Sequence, residues 1–189
     1  MSIAIGKDDL TPPEGAPPTV RNARFRFAPT FVIDLAVSLA YVLFLMHLLK
    51  EVRHTAMTTL VVALIGSLIM LCYLAKILII RFLERRGGDA RTYVESKSLV
   101  TDGPYSWSRN PTYLVALIQF LLWSVLLIAL QAIGPIDPFA MVVAIFAPLL
   151  FFVMTDRLNI EVEEQGLRRS HPEEFAEYSS RVGRWIGRF

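Results

Sequence analysis

The stretch Tyr113-Leu-Val-Ala-Leu-Ile-Gln-Phe-Leu-Leu-Trp-Ser-Val-Leu-Leu-Ile-Ala-Leu-Gln-Ala-Ile133 contains 21 residues and no charged side chain. An α-helix rises about 1.5 Å per residue, so about 20 apolar residues cross a hydrocarbon core of about 30 Å. The stretch is therefore predicted to be a transmembrane helix, and it marks the chain as a helical membrane protein.

Three further apolar runs are long enough to be spans or nearly so: Thr30–Leu49, Thr58–Ile80 and Phe139–Thr155. The last run is short and contains Pro148, which a helix bundle tolerates as a kink. Strong helix formers follow it up to Gly166, so we expect this helix to continue past the membrane. The prediction is an all-α polytopic membrane protein with transmembrane helices at 30–49, 58–80, 113–133 and 139–155, in one domain of residues 30–189 whose helical tail is 156–189.

The composition agrees with a membrane protein and argues against other classes. Hydrophobic residues make up 54% of the chain and charged residues 19%, with a mean hydropathy of +0.48, which is more apolar than a soluble domain of this size. A net charge of +2 does not indicate a nucleic-acid partner. Cys72 is the single cysteine, and the three histidines, at 47, 54 and 171, do not have a spacing that indicates a shared helical face, so no metal site is predicted.

The first 29 residues are predicted to be a flexible tail. They contain five prolines and no apolar segment of the kind that a signal peptide has. The tail ends in Arg21-Asn-Ala-Arg24-Phe-Arg26-Phe27, a basic and aromatic sequence that suits the headgroup layer of a membrane.

The distribution of Lys and Arg predicts the orientation. The N-terminal tail, the loop 81–112 and the C-terminal tail lie on one side of a four-span protein and carry sixteen of these residues, whereas the other side carries two. Positively charged loops stay in the cytosol. Both termini and the loop 81–112, which hold most of the polar chemistry, are therefore expected to be cytosolic.

The loop before the third span carries two signals. Gly103-Pro104 predicts a turn, and Asn110-Pro111 predicts a helix start with Asn110 as the N-cap and Pro111 at the first helical position. An exposed helix N-terminus beside Arg109 favours a carboxylate or phosphate group. In the alternative interpretation this end only caps a span, and its aromatic residues are ordinary interfacial side chains: Tyr105, Trp107 and Tyr113.

The C-terminal tail begins with three carboxylates, of which Glu161 and Glu164 share a helix face while Glu163 points elsewhere. Either they form a solvated surface paired with Arg157, Arg168 and Arg169, or one of them turns inward to bind hydroxyl or ammonium groups. Ser170 and Glu173 have the spacing of a capping box, which predicts a second short helix. Within the spans, Lys76 either extends to the cytosolic interface or faces a cavity.

Two separated motifs resemble a known family. The segment Lys97-Ser-Leu-Val-Thr-Asp-Gly-Pro-Tyr-Ser-Trp-Ser-Arg-Asn-Pro-Thr-Tyr113 is followed by a span pair, by Glu163-Glu-x-x-Leu167 and by Glu174-Phe-Ala-Glu-Tyr-Ser-Ser-Arg-Val182. This order resembles the isoprenylcysteine carboxyl methyltransferases, and the phospholipid methyltransferases share the pattern. The resemblance covers residues 97–185.

The resemblance implies an integral membrane enzyme that transfers a methyl group from S-adenosylmethionine to a lipid-borne acceptor in the bilayer, with no metal and no nucleic acid. The loop, the start of the third span and the C-terminal tail would form the cytosolic cofactor pocket. By position, the resemblance assigns cofactor contacts to Lys97, Leu99, Val100, Tyr105, Asn110, Pro111, Thr112, Tyr113 and Glu163. The expected catalytic residues are Arg109, Asn110 and Arg157, of which the arginines would match an anionic acceptor.

The chain departs from the family pattern at three positions. Asn110 stands where the family often has His, Val115 replaces a common Gly, and Asn159 stands where an arginine serves the substrate. The acceptor therefore stays open among a prenylated cysteine, an aminophospholipid headgroup and another lipid acid or phosphate. Two other interpretations are a sterol-type reductase that uses NADPH, whose members have a similar Arg-x-Pro-x-Tyr turn, and a non-catalytic membrane protein that kept the fold.

Overall fold

The computed structural model describes residues 29–51, 55–88, 98–134 and 137–187, and for 29–35 and 51 only the backbone. The predicted N-terminal tail up to residue 28, with its basic end, lies outside this part. The described ranges contain helices and no strand. The helices are α1 (Pro29–Glu51), α2 (Ala56–Arg85), α3 (Pro111–Ile133), α4 (Pro138–Met154), α5 (Glu161–Ser170) and α6 (Pro172–Arg181).

Three helical segments are long and apolar enough to cross a membrane. They are α2, α3 and the continuous rod Pro138–Ser170, which contains α4 and α5. The fourth predicted span, α1, is 23 residues long and is apolar over Ala36–Lys50. The prediction of an all-α, membrane-spanning fold is confirmed, and the four predicted spans agree roughly with these helices.

Local sequence signals set where the spanning helices begin. The Thr55 hydroxyl accepts a hydrogen bond from the backbone N–H of Thr58 at 3.1 Å, which caps α2. The Asp137 carboxylate caps α4 by accepting from the backbone N–H groups of Phe139 at 2.9 Å and Ala140 at 3.2 Å. Each cap satisfies backbone donors that have no partner within the helix.

The central helix of the bundle is α3, which packs between α2 and α4 while α1 packs against α3 and α4. The Tyr41 ring stacks on Trp123 with centroids 5.6 Å apart, and its hydroxyl lies 2.8 Å from the Ser124 hydroxyl. Phe120 and Phe151 join α3 to α4 at 4.6 Å. Most of α2 is exposed and apolar, as expected of a surface that faces lipid.

The rod from α4 to α5 contains an unpredicted π-helical turn at Thr155–Ile160. The helix continues past the apolar run to Ser170, as predicted, and Pro148 lies inside α4 without ending it. The π turn leaves Thr155 and Asn159 with no exposed surface. Such turns change the register of a helix, and they occur frequently at functional sites.

The predicted capping box at Ser170 and Glu173 is wrong. Ser170 is the last residue of α5, and its hydroxyl donates back to the Gly166 carbonyl at 3.1 Å. The following helix begins at Pro172, with His171 in the N-cap position and no side-chain cap. Proline fixes a helical φ and needs no hydrogen-bond partner for its nitrogen, so it starts α6 without the box.

Candidate functional site

The loop before α3 contains a 3₁₀ turn at Gly103–Ser106, and this turn packs against the end of α2. Gly103 has φ of +57°, and a Cβ at this position would lie 2.6 Å from Cζ of Phe82. A side chain is therefore excluded both by the backbone conformation and by space. The turn predicted from Gly103-Pro104 is present, and it fixes the position of Tyr105.

Tyr105 connects this loop to α6 and to the start of α3. Its carbonyl accepts a hydrogen bond from the Tyr178 hydroxyl at 2.7 Å. Burial raises the pKa of Tyr105 to about 12, a hydrogen bond with Thr112 opposes this shift, and the charge of Glu163 adds to it. The phenol therefore lies near both Thr112 and Glu163, and it stays protonated at neutral pH.

The N-terminus of α3 has the predicted boundary but not the predicted cap. Asn110 occupies the N-cap position and Pro111 follows it, yet the Asn110 side chain makes no capping hydrogen bond. Its Nδ2 instead donates to the Arg184 carbonyl at 3.0 Å, and its backbone N–H donates to the Ser108 hydroxyl at 3.0 Å. The Asn110 side chain therefore does not cap the backbone N–H groups in the first turn of this 23-residue helix.

Tyr113, the third residue of α3, connects the loop to the C-terminal tail. Its hydroxyl donates to Oε1 of Glu163 at 2.7 Å and accepts from Nδ2 of Asn159 at 3.2 Å. Glu163 is half-buried. The two segments that carry the sequence resemblance therefore meet at the Tyr113–Glu163 pair.

The next residue, Glu164, has a different environment. It is 2% exposed and its carboxylate lies 2.8 Å from Arg184, 3.3 Å from Arg109 and 3.4 Å from Arg168. We call these four residues the clasp. The hydrogen bond to Glu164 raises the pKa of Arg184, whereas burial lowers the pKa of Arg109. A buried carboxylate is tolerated here because several guanidinium groups surround it.

The clasp holds a C-terminal strap, residues Val182–Gly187, against the loop. The backbone N–H of Arg109 donates to the Gly183 carbonyl at 3.0 Å, and that of Gly187 donates to the Trp107 carbonyl at 3.2 Å. The strap is also joined to the start of the π turn at Asp156, whose carboxylate accepts from the Trp185 indole at 3.0 Å and lies 3.5 Å from the Arg184 guanidinium. The strap therefore covers the side of the α3 N-terminus where Asn110 lies.

The structure brings some of the predicted site residues together and separates others. Tyr105, Thr112, Tyr113 and Glu163 form one group, Pro111 is buried at the first position of α3, and Val100 is buried in the loop. Leu99 packs on the cluster of Phe175, Tyr178 and Val182 rather than on this group. Arg109 belongs to the clasp. Lys97 lies outside the described residues.

Arg157, an expected catalytic residue, is exposed and makes no ion pair with any residue in the described ranges. Val115, which replaces a common glycine of the resembling family, is half-buried on α3. Within the described part of the chain, no group of three or more His, Cys, Asp and Glu side chains is arranged to hold a metal ion.

Sequence reasoning missed the clasp and the strap. The spacing of Glu161 and Glu164 correctly predicted a shared face, and both contact the Arg184 guanidinium, at 3.1 Å and 2.8 Å. Of the three arginines expected to pair with the carboxylates, only Arg168 does so in the described part. The main partner, Arg184, is 20 residues from Glu164, and no local spacing rule could identify it.

A family of proteins of unknown function, DUF1295, matches residues 27–182. The chain belongs to this family. The DUF1295 match includes all six helices and ends at Val182, so the strap beyond that residue lies outside the matched region. No curated protein and no solved structure gives a significant match to this DUF1295 chain.

Proposed function

We propose that this DUF1295 protein is a methyltransferase that uses S-adenosylmethionine and acts on a lipid-borne acceptor at the cytosolic face of a membrane. The observation that carries the proposal is the 2.7 Å hydrogen bond from Tyr113 to Glu163. It joins the loop motif to the tail motif, and these are the two segments that resemble the isoprenylcysteine carboxyl methyltransferases.

The residues at this site fit the polar groups of S-adenosylmethionine. The N-terminus of α3 carries a positive partial charge and is not capped by Asn110, so its first turn suits a carboxylate. The half-buried Glu163 carboxylate suits an ammonium group or ribose hydroxyls. The half-buried Tyr105 ring, which lies beside Thr112, offers a flat surface for the adenine.

When bound, S-adenosylmethionine would supply an electrophilic methyl group. Methyl transfer of this kind depends mainly on alignment and on a dry site, and in the proposal the residues positioned around Glu163 supply the alignment. Tyr113 holds the Glu163 carboxylate in place, and Asn159 holds the Tyr113 hydroxyl. Tyr105 is not expected to act as a base at neutral pH, because burial raises its pKa to about 12.

The two arginines expected to be catalytic, Arg109 and Arg157, have a less direct role in the proposed reaction. Arg109 is 13% exposed and already paired with Glu164, so its role in the proposal is to hold the clasp. Arg157 is exposed and is available only to an acceptor that approaches along the rod. The proposal therefore rests on the first turn of α3, Tyr113 and Glu163 for the cofactor, and it leaves the acceptor open among lipid carboxylates, amines and phosphates.

The test is calorimetric titration of the purified, detergent-solubilised protein with S-adenosylmethionine, S-adenosylhomocysteine and NADPH in parallel. We expect micromolar binding of the first two and none of NADPH. Binding of NADPH alone would favour the reductase interpretation. A folded protein that binds none of the three would contradict the proposal and favour a non-catalytic role.

A further inference from the structure

Two large apolar side chains at the site end of the bundle are exposed although they lie outside the helical rods. Trp107 in the loop is 64% exposed and Ile186 in the strap is 70% exposed. In the described ranges, every other exposed large hydrophobic residue belongs to α1, α2, α3 or the rod Pro138–Ser170. Tyr105 in the same loop and Tyr113 at the start of α3 are half-buried, so Trp107 is the exposed one of these three aromatic residues.

Backbone hydrogen bonds hold the strap next to Ile186 against the loop at Trp107. Gly187 donates to the Trp107 carbonyl at 3.2 Å, and Gly183 donates to the Gly187 carbonyl at 2.9 Å, which closes a turn with Ile186 near its tip. Gly187 has φ of +114°, a conformation that favours glycine. The exposure of Ile186 thus follows from a hydrogen-bonded turn. We call Trp107 and Ile186 the tip.

The position of the tip relative to the membrane follows from its neighbour Trp185. The Trp185 ring lies 4.9 Å from Phe152, which is in the last turn of α4 on the exposed apolar surface. The Trp185 indole donates to Asp156, the first charged residue after the apolar run of α4. The strap therefore lies at the level where the lipid-facing surface ends and the polar headgroup layer begins.

We propose that the tip inserts into the interfacial layer of the same membrane that the helices span. Trp is enriched at this layer because its ring is apolar and its N–H is polar, and Ile adds apolar surface next to it. The occupant is lipid because the tip continues the exposed apolar surface of α4 through Phe152 and Trp185. This inference is independent of methyl transfer.

The test places a spin label at the tip of the full-length protein. Ile186→Cys is combined with Cys72→Ser, labelled, and reconstituted in phosphatidylcholine and phosphatidylglycerol vesicles. Power saturation then compares collisions with oxygen, which concentrates in the bilayer, and with a nickel chelate, which stays in water. The matched control is Glu177→Cys on α6, where the native side chain is 72% exposed.

We expect the label at 186 to collide more with oxygen and the label at 177 to collide more with the nickel chelate. Equal exposure of both labels to the nickel chelate would overturn the proposal. Protection of the label at 186 from both reagents, with dipolar broadening between labels, would also overturn it, because a second copy of the chain would then cover the tip.

A second measurement uses tryptophan fluorescence and leaves the residues of the strap unchanged. Lipids brominated near the headgroup are expected to quench the fluorescence of the unmodified protein more strongly than that of Trp107→Phe. If the two proteins are quenched equally, Trp107 does not contact lipid and the proposal fails.

Discussion

The apolar bundle of α1 to α4 and the polar end formed by the loop, α5, α6 and the strap are held together by different forces. In the bundle, aromatic and aliphatic side chains pack around α3, with Phe120, Leu127 and Leu130 fully buried. At the polar end, the buried Glu164 and three arginines join three segments of the chain, the loop, α5 and the strap. The bundle tolerates many apolar substitutions, whereas the polar end depends on a few charges.

The two adjacent glutamates at the polar end, Glu163 and Glu164, have different environments. Glu163 is half-buried and hydrogen-bonded to Tyr113, whereas Glu164 is 2% exposed and surrounded by guanidinium groups. Residues one position apart on a helix point in different directions. We therefore expect Glu163 to determine binding and Glu164 to determine stability.

The largest effect is expected from Glu164→Ala. This change leaves Arg109 and Arg184 without their central carboxylate, and loss of one partner of a buried ion pair costs about 3 to 5 kcal/mol. Thermal unfolding in detergent measures the loss. The matched control is Glu177→Ala, which removes an exposed pair with Arg181 and should cost less than about 1 kcal/mol. Similar losses for both variants would mean that the clasp does not hold the polar end.

A smaller loss of stability is expected at alkaline pH, and it arises from two tyrosines beside the clasp, Tyr105 and Tyr178. Burial raises the pKa of Tyr105 to about 12 and raises the pKa of Tyr178 above its usual value. The unfolded chain loses these protons near pH 10 while the folded chain keeps them, so stability is complete below pH 10 and falls as the pH rises towards 12. For Tyr105 the loss is at most about 3 kcal/mol.

Absorbance titration at 295 nm, combined with unfolding measurements from pH 8 to 12, checks this window. Tyr105→Phe should remove part of the alkaline loss and should leave the titration below pH 10 unchanged. An unchanged alkaline loss in both Tyr105→Phe and Tyr178→Phe would show that other groups cause it.

The smallest effect is expected from Thr155→Val, at the junction of the two regions. Thr155 has no exposed surface, and its hydroxyl has no hydrogen-bond partner among the described residues. Replacing an unsatisfied buried hydroxyl with a methyl group should stabilise the protein by about 1 kcal/mol. A loss of similar size in thermal unfolding would instead reveal a partner for this hydroxyl, and the polar end would then extend further into the bundle.

The bundle could be predicted from the sequence because hydropathy and helix length determine it. The predicted span 113–133 differs from Pro111–Ile133 only at its first residues, and 139–155 differs from Pro138–Met154 by one residue at each end. The predicted 58–80 is shorter than Ala56–Arg85, since the charged residues at its end continue the helix beyond the apolar run.

The polar end could be predicted only in part. The start of α3 at Asn110-Pro111 and the separate directions of Glu163 and Glu164 follow from local rules, and both are present. The partners of these residues depend on tertiary packing: Asn110 turns to the Arg184 carbonyl instead of capping its helix. The π turn also has no sequence signal that we identified, although it sets where Asn159 lies.

The most direct test of the account compares S-adenosylmethionine binding by Glu163→Gln and by the unmodified protein, with thermal unfolding of both. The account predicts at least a tenfold weaker affinity for Glu163→Gln, since the substitution removes the charge beside Tyr113, together with nearly unchanged stability. Unchanged affinity in a folded Glu163→Gln protein would contradict the assignment of the Tyr113–Glu163 pair as the cofactor site.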